Sequence, residues 1–99
     1  MNYRQYYVFE WDPAKSERCF RERGFDFEYA NNVFFDPCKI IEPDLRYHFG
    51  ENRFTLTGKT EGRLYVVIFT ERKGANRIIS AHKANYGELT HYENRADGH

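Results

Sequence analysis

Cationic and titratable residues lie close together in the last third of the chain. Arg72, Arg77, His82 and Lys83 occur in one short stretch that contains no Asp or Glu. A guanidinium can bind two phosphate oxygens at once, and an imidazole can carry a proton near neutral pH. These residue types favour a phosphate-binding wall, although a solvated turn with scattered cations would have the same composition.

Such residues could cleave RNA without a metal ion. The reaction needs a base that activates the 2′-hydroxyl, cations that stabilise the pentacoordinate phosphorane, and an acid for the leaving oxygen. The required types are provided by Arg72, Arg77, His82, Lys83 and a tyrosine such as Tyr92. Composition alone does not decide between this chemistry and a charged surface without such a role.

Motifs of several other chemistries are missing from the sequence. The chain has no Gly-rich phosphate loop, no GxSxG motif and no HExxH motif. Its Cys and His residues follow no zinc-ligand spacing, so we expect neither a metal nor a cofactor. Cys19 and Cys38 could pair, but two cysteines make no disulfide framework. With no secretory signal at the N-terminus, a reduced cytoplasmic protein is expected.

Length and charge set broad limits on the protein. Ninety-nine residues predict a single domain over residues 1–99, with a frayed tail over 94–99. Aromatic residues make up 18% of the chain, which favours a packed core over disorder despite a mean hydropathy of −0.85. The 15 basic and 15 acidic residues cancel, so the net charge gives no footprint of a nucleic-acid binder. No apolar run approaches the ~20 residues of a membrane span.

The first third of the chain predicts a strand followed by two helices. Residues 6–11, "YYVFEW", are typical of a short strand. Asp12 and Pro13 indicate the start of a helix, and Gly24 indicates its end. A second helix is expected from residue 26 or 27 to 34, because apolar residues recur there at helical spacing.

The rest of the chain predicts an antiparallel meander and a final helix. The expected strands are "CKIIE" (38–42), "RFTLTG" (53–58), "RLYVVIFT" (63–70) and "RIISA" (77–81), with the last helix over 85–94. The predicted fold is therefore α+β, with two N-terminal helices and a C-terminal helix packed on one side of an antiparallel β-sheet. Arg72 and Arg77 would flank one turn, whereas bringing His82 into the same pocket would need sheet curvature.

Four segments of the chain resemble the BrnT family of ribonuclease toxins. They are "FEWDPAK" (9–15), "GFDFEYANNVFFDP" (24–37), "FTLTGKTEGRLYVVIFTER" (54–72) and "RIISAHKA" (77–84), in the order in which the family has them. The resemblance covers nearly the whole chain, roughly residues 9–93.

The resemblance implies an enzyme and a partner. It implies a RelE-like fold and a cytoplasmic, metal-independent endoribonuclease that inhibits translation as the toxin of a type II toxin–antitoxin system. It also implies a BrnA-type ribbon-helix-helix antitoxin, through which the complex would reach operator DNA. The implied substrate is RNA, and no membrane is involved.

The resemblance also assigns roles to particular residues. Arg72 and Arg77 match the family pattern and are expected to be catalytic, together with His82, which stands where the family usually has Arg. The expected RNA-binding residues are Lys83, Arg23, Lys15 and Tyr92.

Two departures leave an alternative open. Glu22 and Arg23 replace the Lys and His that usually end the first helix in the family, and His82 replaces an Arg. Proton transfer could have moved to His82. Alternatively, the protein could be a catalytically weakened toxin homologue that acts mainly as an antitoxin-binding partner in operon autoregulation.

Overall fold

The computed structural model describes residues 7–46 and 50–97. Tyr6 in the predicted first strand and His48 in the predicted loop lie outside these residues, as do positions 98 and 99 of the predicted tail. Within the described ranges, no helix is both long and apolar enough to cross a membrane.

Five strands form one mixed sheet in the order β1-β5-β4-β3-β2. Their bounds are Phe9–Trp11 for β1, Ile40–Pro43 for β2, Arg53–Thr60 for β3, Arg63–Arg72 for β4 and Ala75–Lys83 for β5. Strands β2 to β5 form the predicted antiparallel meander. The prediction of a fully antiparallel sheet was wrong, because β1 pairs with β5 in parallel. The long chain segment between these two strands imposes no hairpin geometry, so nothing local specified their direction.

Local signals define the first helix, α1, which spans Pro13–Arg23 as predicted. The Asp12 carboxylate accepts a hydrogen bond from the Ala14 N–H at 3.0 Å, which caps the first turn. Gly24 adopts a left-handed conformation (φ 85°), and its N–H donates to the Phe20 carbonyl. This end directs the chain back towards the sheet.

The second predicted helix consists of two segments with different helical geometry. Its α-helical part, α2, is the single turn Phe27–Ala30, and a 3-10 segment, Asn31–Phe35, follows. The Asn32 side chain donates to the Tyr29 carbonyl at 3.0 Å. Asparagine side chains compete in this way for backbone groups, which disfavours a continued α-helix.

The last helix, α3, spans Tyr86–Asp97 and continues beyond the predicted end at Asn94. It packs on the opposite face of the sheet from α1 and α2, so the expectation that all helices share one side was wrong. Tyr92 and Leu89 of α3 pack in one cluster with Leu64 of β4, whereas Tyr65 packs with the first two helices. Successive side chains of a strand point to opposite faces, and β4 is apolar on both.

Candidate functional site

A β-bulge in β5 decides which residues share a face of the sheet. Ser80 pairs with Ile68 and Ile78 pairs with Phe69, so Ile79 has no partner in β4. An extra residue reverses the alternation of side chains beyond it. Arg77 and His82, which a regular strand would direct to opposite faces, therefore lie on the same face.

We call this the α3 face, defined by the β4 side chains Leu64, Val66 and Thr70. Arg77 is opposite Thr70, and His82 is opposite Val66. These two positions of β4 are four residues apart, which corresponds to about 13 Å along the strand. The α3 face thus holds both predicted residues, at two separate points.

Three arginines surround Thr70 at one end of the α3 face. Arg77 and Arg53 pair with Thr70 from its two neighbouring strands. Arg72 belongs to the same face, two residues further along β4, and is diagonal to Arg77 across the ladder. The predicted proximity of Arg72 and Arg77 is consistent with the two-residue turn that joins their strands, in which Lys73 and Gly74 both have positive φ.

The arginines differ in their acidic neighbours. Arg77 lies 3.6 Å from a Glu10 carboxylate oxygen, and Arg53 lies 2.9 Å from Glu51. Arg72 is exposed and forms no ion pair with any residue of the described ranges. An exposed guanidinium without a carboxylate neighbour can accept a phosphate at little cost, because no existing pair has to break.

His82 faces an acidic partner from α3. Its Nε2 atom lies 3.1 and 3.2 Å from the two carboxylate oxygens of Glu88. Both side chains are about one-third exposed, at 34% and 29%. A carboxylate beside an imidazole orients the ring, which is the arrangement used by many general bases.

The other predicted cations lie away from the α3 face. Lys83 is opposite Tyr65 and lines a cleft with aromatic residues of the α1 and α2 side. Arg23 donates to the Ala81 carbonyl at 2.8 Å, and it lines a second cleft with Lys15. The structure therefore divides the predicted residues, with Arg72, Arg77 and His82 on one face and Lys83, Arg23 and Lys15 on the opposite side or edge.

Tyr92 lies on the α3 side of the sheet but is part of the core. It is only 5% exposed and packs with Ile40 and Leu64. Its hydroxyl donates to Asp36 at 2.7 Å. Burial, and the hydrogen bond to the Asp36 carboxylate, raise the pKa of Tyr92. The phenol is thus held in its protonated form by a structural contact.

Sequence reasoning missed Glu88, Arg53 and Glu10 as neighbours of the predicted residues. The spacing of Asn85 and Glu88 is that of a capping box and could have indicated the position of Glu88 at the start of α3. No local signal placed Arg53 or Glu10 beside Arg77, because both contacts depend on strand register. Among the described residues, no group of three or more His, Cys, Asp and Glu side chains could hold a metal ion.

The sequence matches the model of a known protein family over most of its length. The model of BrnT, described as the ribonuclease toxin of a type II toxin–antitoxin system, matches residues 11–88. The chain belongs to the BrnT family. No curated protein matches this BrnT chain. The match includes Arg72, Arg77, His82 and Glu88, and it ends in the first turn of α3.

Family membership gives the general activity of this BrnT protein. It is a ribonuclease toxin of a type II toxin–antitoxin system, and such a system implies an antitoxin partner. The α3 face, with its arginine group and its paired histidine, is the candidate site for that ribonuclease activity.

Proposed function

We propose that this BrnT protein is a metal-independent endoribonuclease whose active site is the α3 face. The observation that carries the proposal is the bulge at Ile79, because it brings His82 to the face that holds Arg72 and Arg77. Together these side chains offer cations for phosphate and an imidazole for proton transfer. These side chains thus supply two of the three functions that such cleavage needs, the base and the cations for the phosphorane.

The two parts of the face have different roles in this proposal. His82 accepts the proton of the 2′-hydroxyl, which then attacks the adjacent phosphorus. Arg72 and Arg77 bind phosphate oxygens and stabilise the charge of the phosphorane. Since about 13 Å of strand separates Arg77 from His82, the arginine and imidazole side chains must extend towards each other to reach one phosphate.

The family resemblance supports the wider biological role. We infer a RelE-like fold, inhibition of translation by RNA cleavage in the cytoplasm, and neutralisation by a BrnA-type ribbon-helix-helix antitoxin. Operator DNA would then be bound through the antitoxin. Lys83, Arg23 and Lys15 remain candidates for RNA contact only where a substrate extends around the edge of β5.

A cleavage assay in EDTA tests the proposed function. Purified protein is incubated with RNA, and the products are examined for 2′,3′-cyclic phosphate ends. We expect cleavage in EDTA, with Arg72→Ala, Arg77→Ala and His82→Ala each reducing the rate at least tenfold. Full activity of all three variants would show that the site lies elsewhere.

Two control variants test whether cleavage depends on the guanidinium group itself, rather than on its ion pair or on exposed arginines in general. Glu10→Gln breaks the ion pair with Arg77 but leaves the arginine in place, so cleavage is expected to continue. Arg21→Ala removes an exposed arginine of α1 and is expected to have no effect. Intact RNA at micromolar protein, with retained binding of a co-expressed antitoxin, would instead favour the catalytically weakened toxin homologue.

A further inference from the structure

The Glu88 carboxylate contacts two groups near the start of α3, the backbone N–H of Asn85 and the ring of His82. Its carboxylate accepts a hydrogen bond from the Asn85 N–H at 2.8 Å, and its own N–H donates to the Asn85 side-chain oxygen at 2.8 Å. This reciprocal pair is a capping box. The same carboxylate faces Nε2 of His82 with both oxygens. The position of the carboxylate is therefore fixed by the helix before any substrate binds.

The contact with Glu88 determines the tautomer of His82. An ionised carboxylate offers only acceptors, so the imidazole nitrogen that faces it must carry the hydrogen. In the neutral ring, Nδ1 is then the acceptor. This atom forms no hydrogen bond with any residue in 7–46 or 50–97. Nδ1 is thus the atom of His82 that remains available to take a proton.

We propose that Glu88 is a positioning residue that fixes the Nε2–H of His82 and presents Nδ1 to the substrate. This inference rests on the proposed ribonuclease function. As the 2′-oxygen bonds to phosphorus, its proton moves to Nδ1 and the bond from phosphorus to the 5′-oxygen breaks. The 5′-oxygen takes a proton from solvent, and Glu88 stabilises the imidazolium that has formed.

Two substitutions separate positioning from helix capping. Glu88→Gln keeps an oxygen for the Asn85 N–H and removes the charge, since glutamine also occupies this position of a capping box. We expect kcat to fall at least tenfold with KM within twofold. Asn85→Ala removes the other half of the capping box without removing Glu88, so it should lower the melting temperature and leave kcat within twofold.

A double-mutant cycle tests whether Glu88 acts through His82. If it does, Glu88→Gln causes no further loss of kcat in the His82→Ala background. A second tenfold loss in the double variant would contradict the inference. Wild-type kcat in Glu88→Gln, combined with a large loss in His82→Ala, would also overturn it while the proposed function stands.

The nitrogen NMR spectrum of the His82 ring provides a readout that does not depend on activity. We expect the neutral ring of the wild-type protein to carry its hydrogen on Nε2, and Glu88→Ala to weaken that preference. A hydrogen on Nδ1 in the wild type would overturn the assignment. If the wild-type protein cleaves no RNA, the proposed function fails, and the spectrum still decides whether Glu88 sets the tautomer.

Discussion

At the scale of single residues, Asp36 connects α3 to the sheet. Its carboxylate accepts hydrogen bonds from the Tyr92 hydroxyl, the Lys59 N–H and the Cys38 N–H, at 2.7, 2.7 and 2.8 Å. Tyr92 is thereby held in the core. The RNA contact expected of Tyr92 stays a prediction. Because its side chain is buried, we assign it a structural role first.

Tyr92→Phe tests that role. The ring contacts remain and the hydroxyl is lost, so we expect a loss of about 1.5 kcal/mol in the free energy of unfolding, as for a hydrogen bond to a charged acceptor. Urea denaturation measures the change, and RNA cleavage should be unaffected. A folded variant of wild-type stability with strongly reduced cleavage would instead place the Tyr92 hydroxyl in the reaction.

The acid sensitivity of the fold depends on the same carboxylate. Burial raises the pKa of Asp36, but the hydrogen bonds from Cys38, Tyr92 and Lys59 outweigh it, so the pKa of this carboxyl lies below its ordinary value. Because the pKa is lower in the folded than in the unfolded state, the ionised carboxylate stabilises the fold at any pH above the unfolded-state pKa. This stability is lost as the pH falls through the folded-state pKa.

Asp36→Asn should remove part of this pH dependence. We expect the variant to be less stable than wild type at pH 7 and the difference to shrink between about pH 5 and pH 2. Denaturation across that range measures it. Some acid sensitivity should persist, because the Arg46 side chain lowers the pKa of Asp44 by a hydrogen bond. An unchanged difference at low pH would contradict the assignment to Asp36.

At the scale of elements, Gly58 sets the distance between β3 and the 3-10 segment. A Cβ atom at this position would lie 2.8 Å from the Val33 carbonyl oxygen and 2.9 Å from its Cβ. Val33 is fully buried, so neither β3 nor the 3-10 segment can move aside freely. The close approach of these two elements therefore requires glycine.

Gly58→Ala should cost about 2 kcal/mol of stability, as overpacking of a filled core does. Gly87→Ala is the matched control, because its nearest contact would be an ordinary 3.5 Å and the residue lies in the first turn of α3. We expect the control to stabilise the protein by about 0.5–1 kcal/mol. Equal effects of the two substitutions in thermal denaturation would contradict the packing argument.

At the scale of the whole molecule, the charges are balanced and the cations are divided between the two sides of the sheet. Only Arg53, Arg72 and Arg77 lie around Thr70 on the α3 face within the parts of the chain that the structure describes. Arginines would therefore contact few phosphates of an RNA bound around Thr70. A small number of phosphate contacts predicts a weak dependence of binding on salt.

The salt dependence of RNA binding measures that number. For single strands, log K falls with log salt by about 0.7 per phosphate contact, so three arginines predict a slope of about −2. Arg77→Ala should reduce the slope by about 0.7, and Arg21→Ala should leave it unchanged. A much steeper slope would show that cations of the opposite side also contact RNA.

Much of the fold follows from local sequence. Asp12, Pro13 and Gly24 set the bounds of α1 because caps act within one turn. The meander follows from alternating apolar residues and from a turn whose residues at 73 and 74 adopt positive φ. The proximity of Arg72 and Arg77 was predictable for the same reason, since one short turn joins their strands.

The site as a whole was decided by tertiary structure. His82 is five residues from Arg77, and regular alternation would place the two on opposite faces of the sheet. Pairing with β4 leaves Ile79 without a partner, and this shift returns His82 to the side of Arg77. The sequence by itself determined the residue types and the elements. Only the register between strands, which depends on contacts distant in the chain, determined that these residues lie on the same face of the sheet.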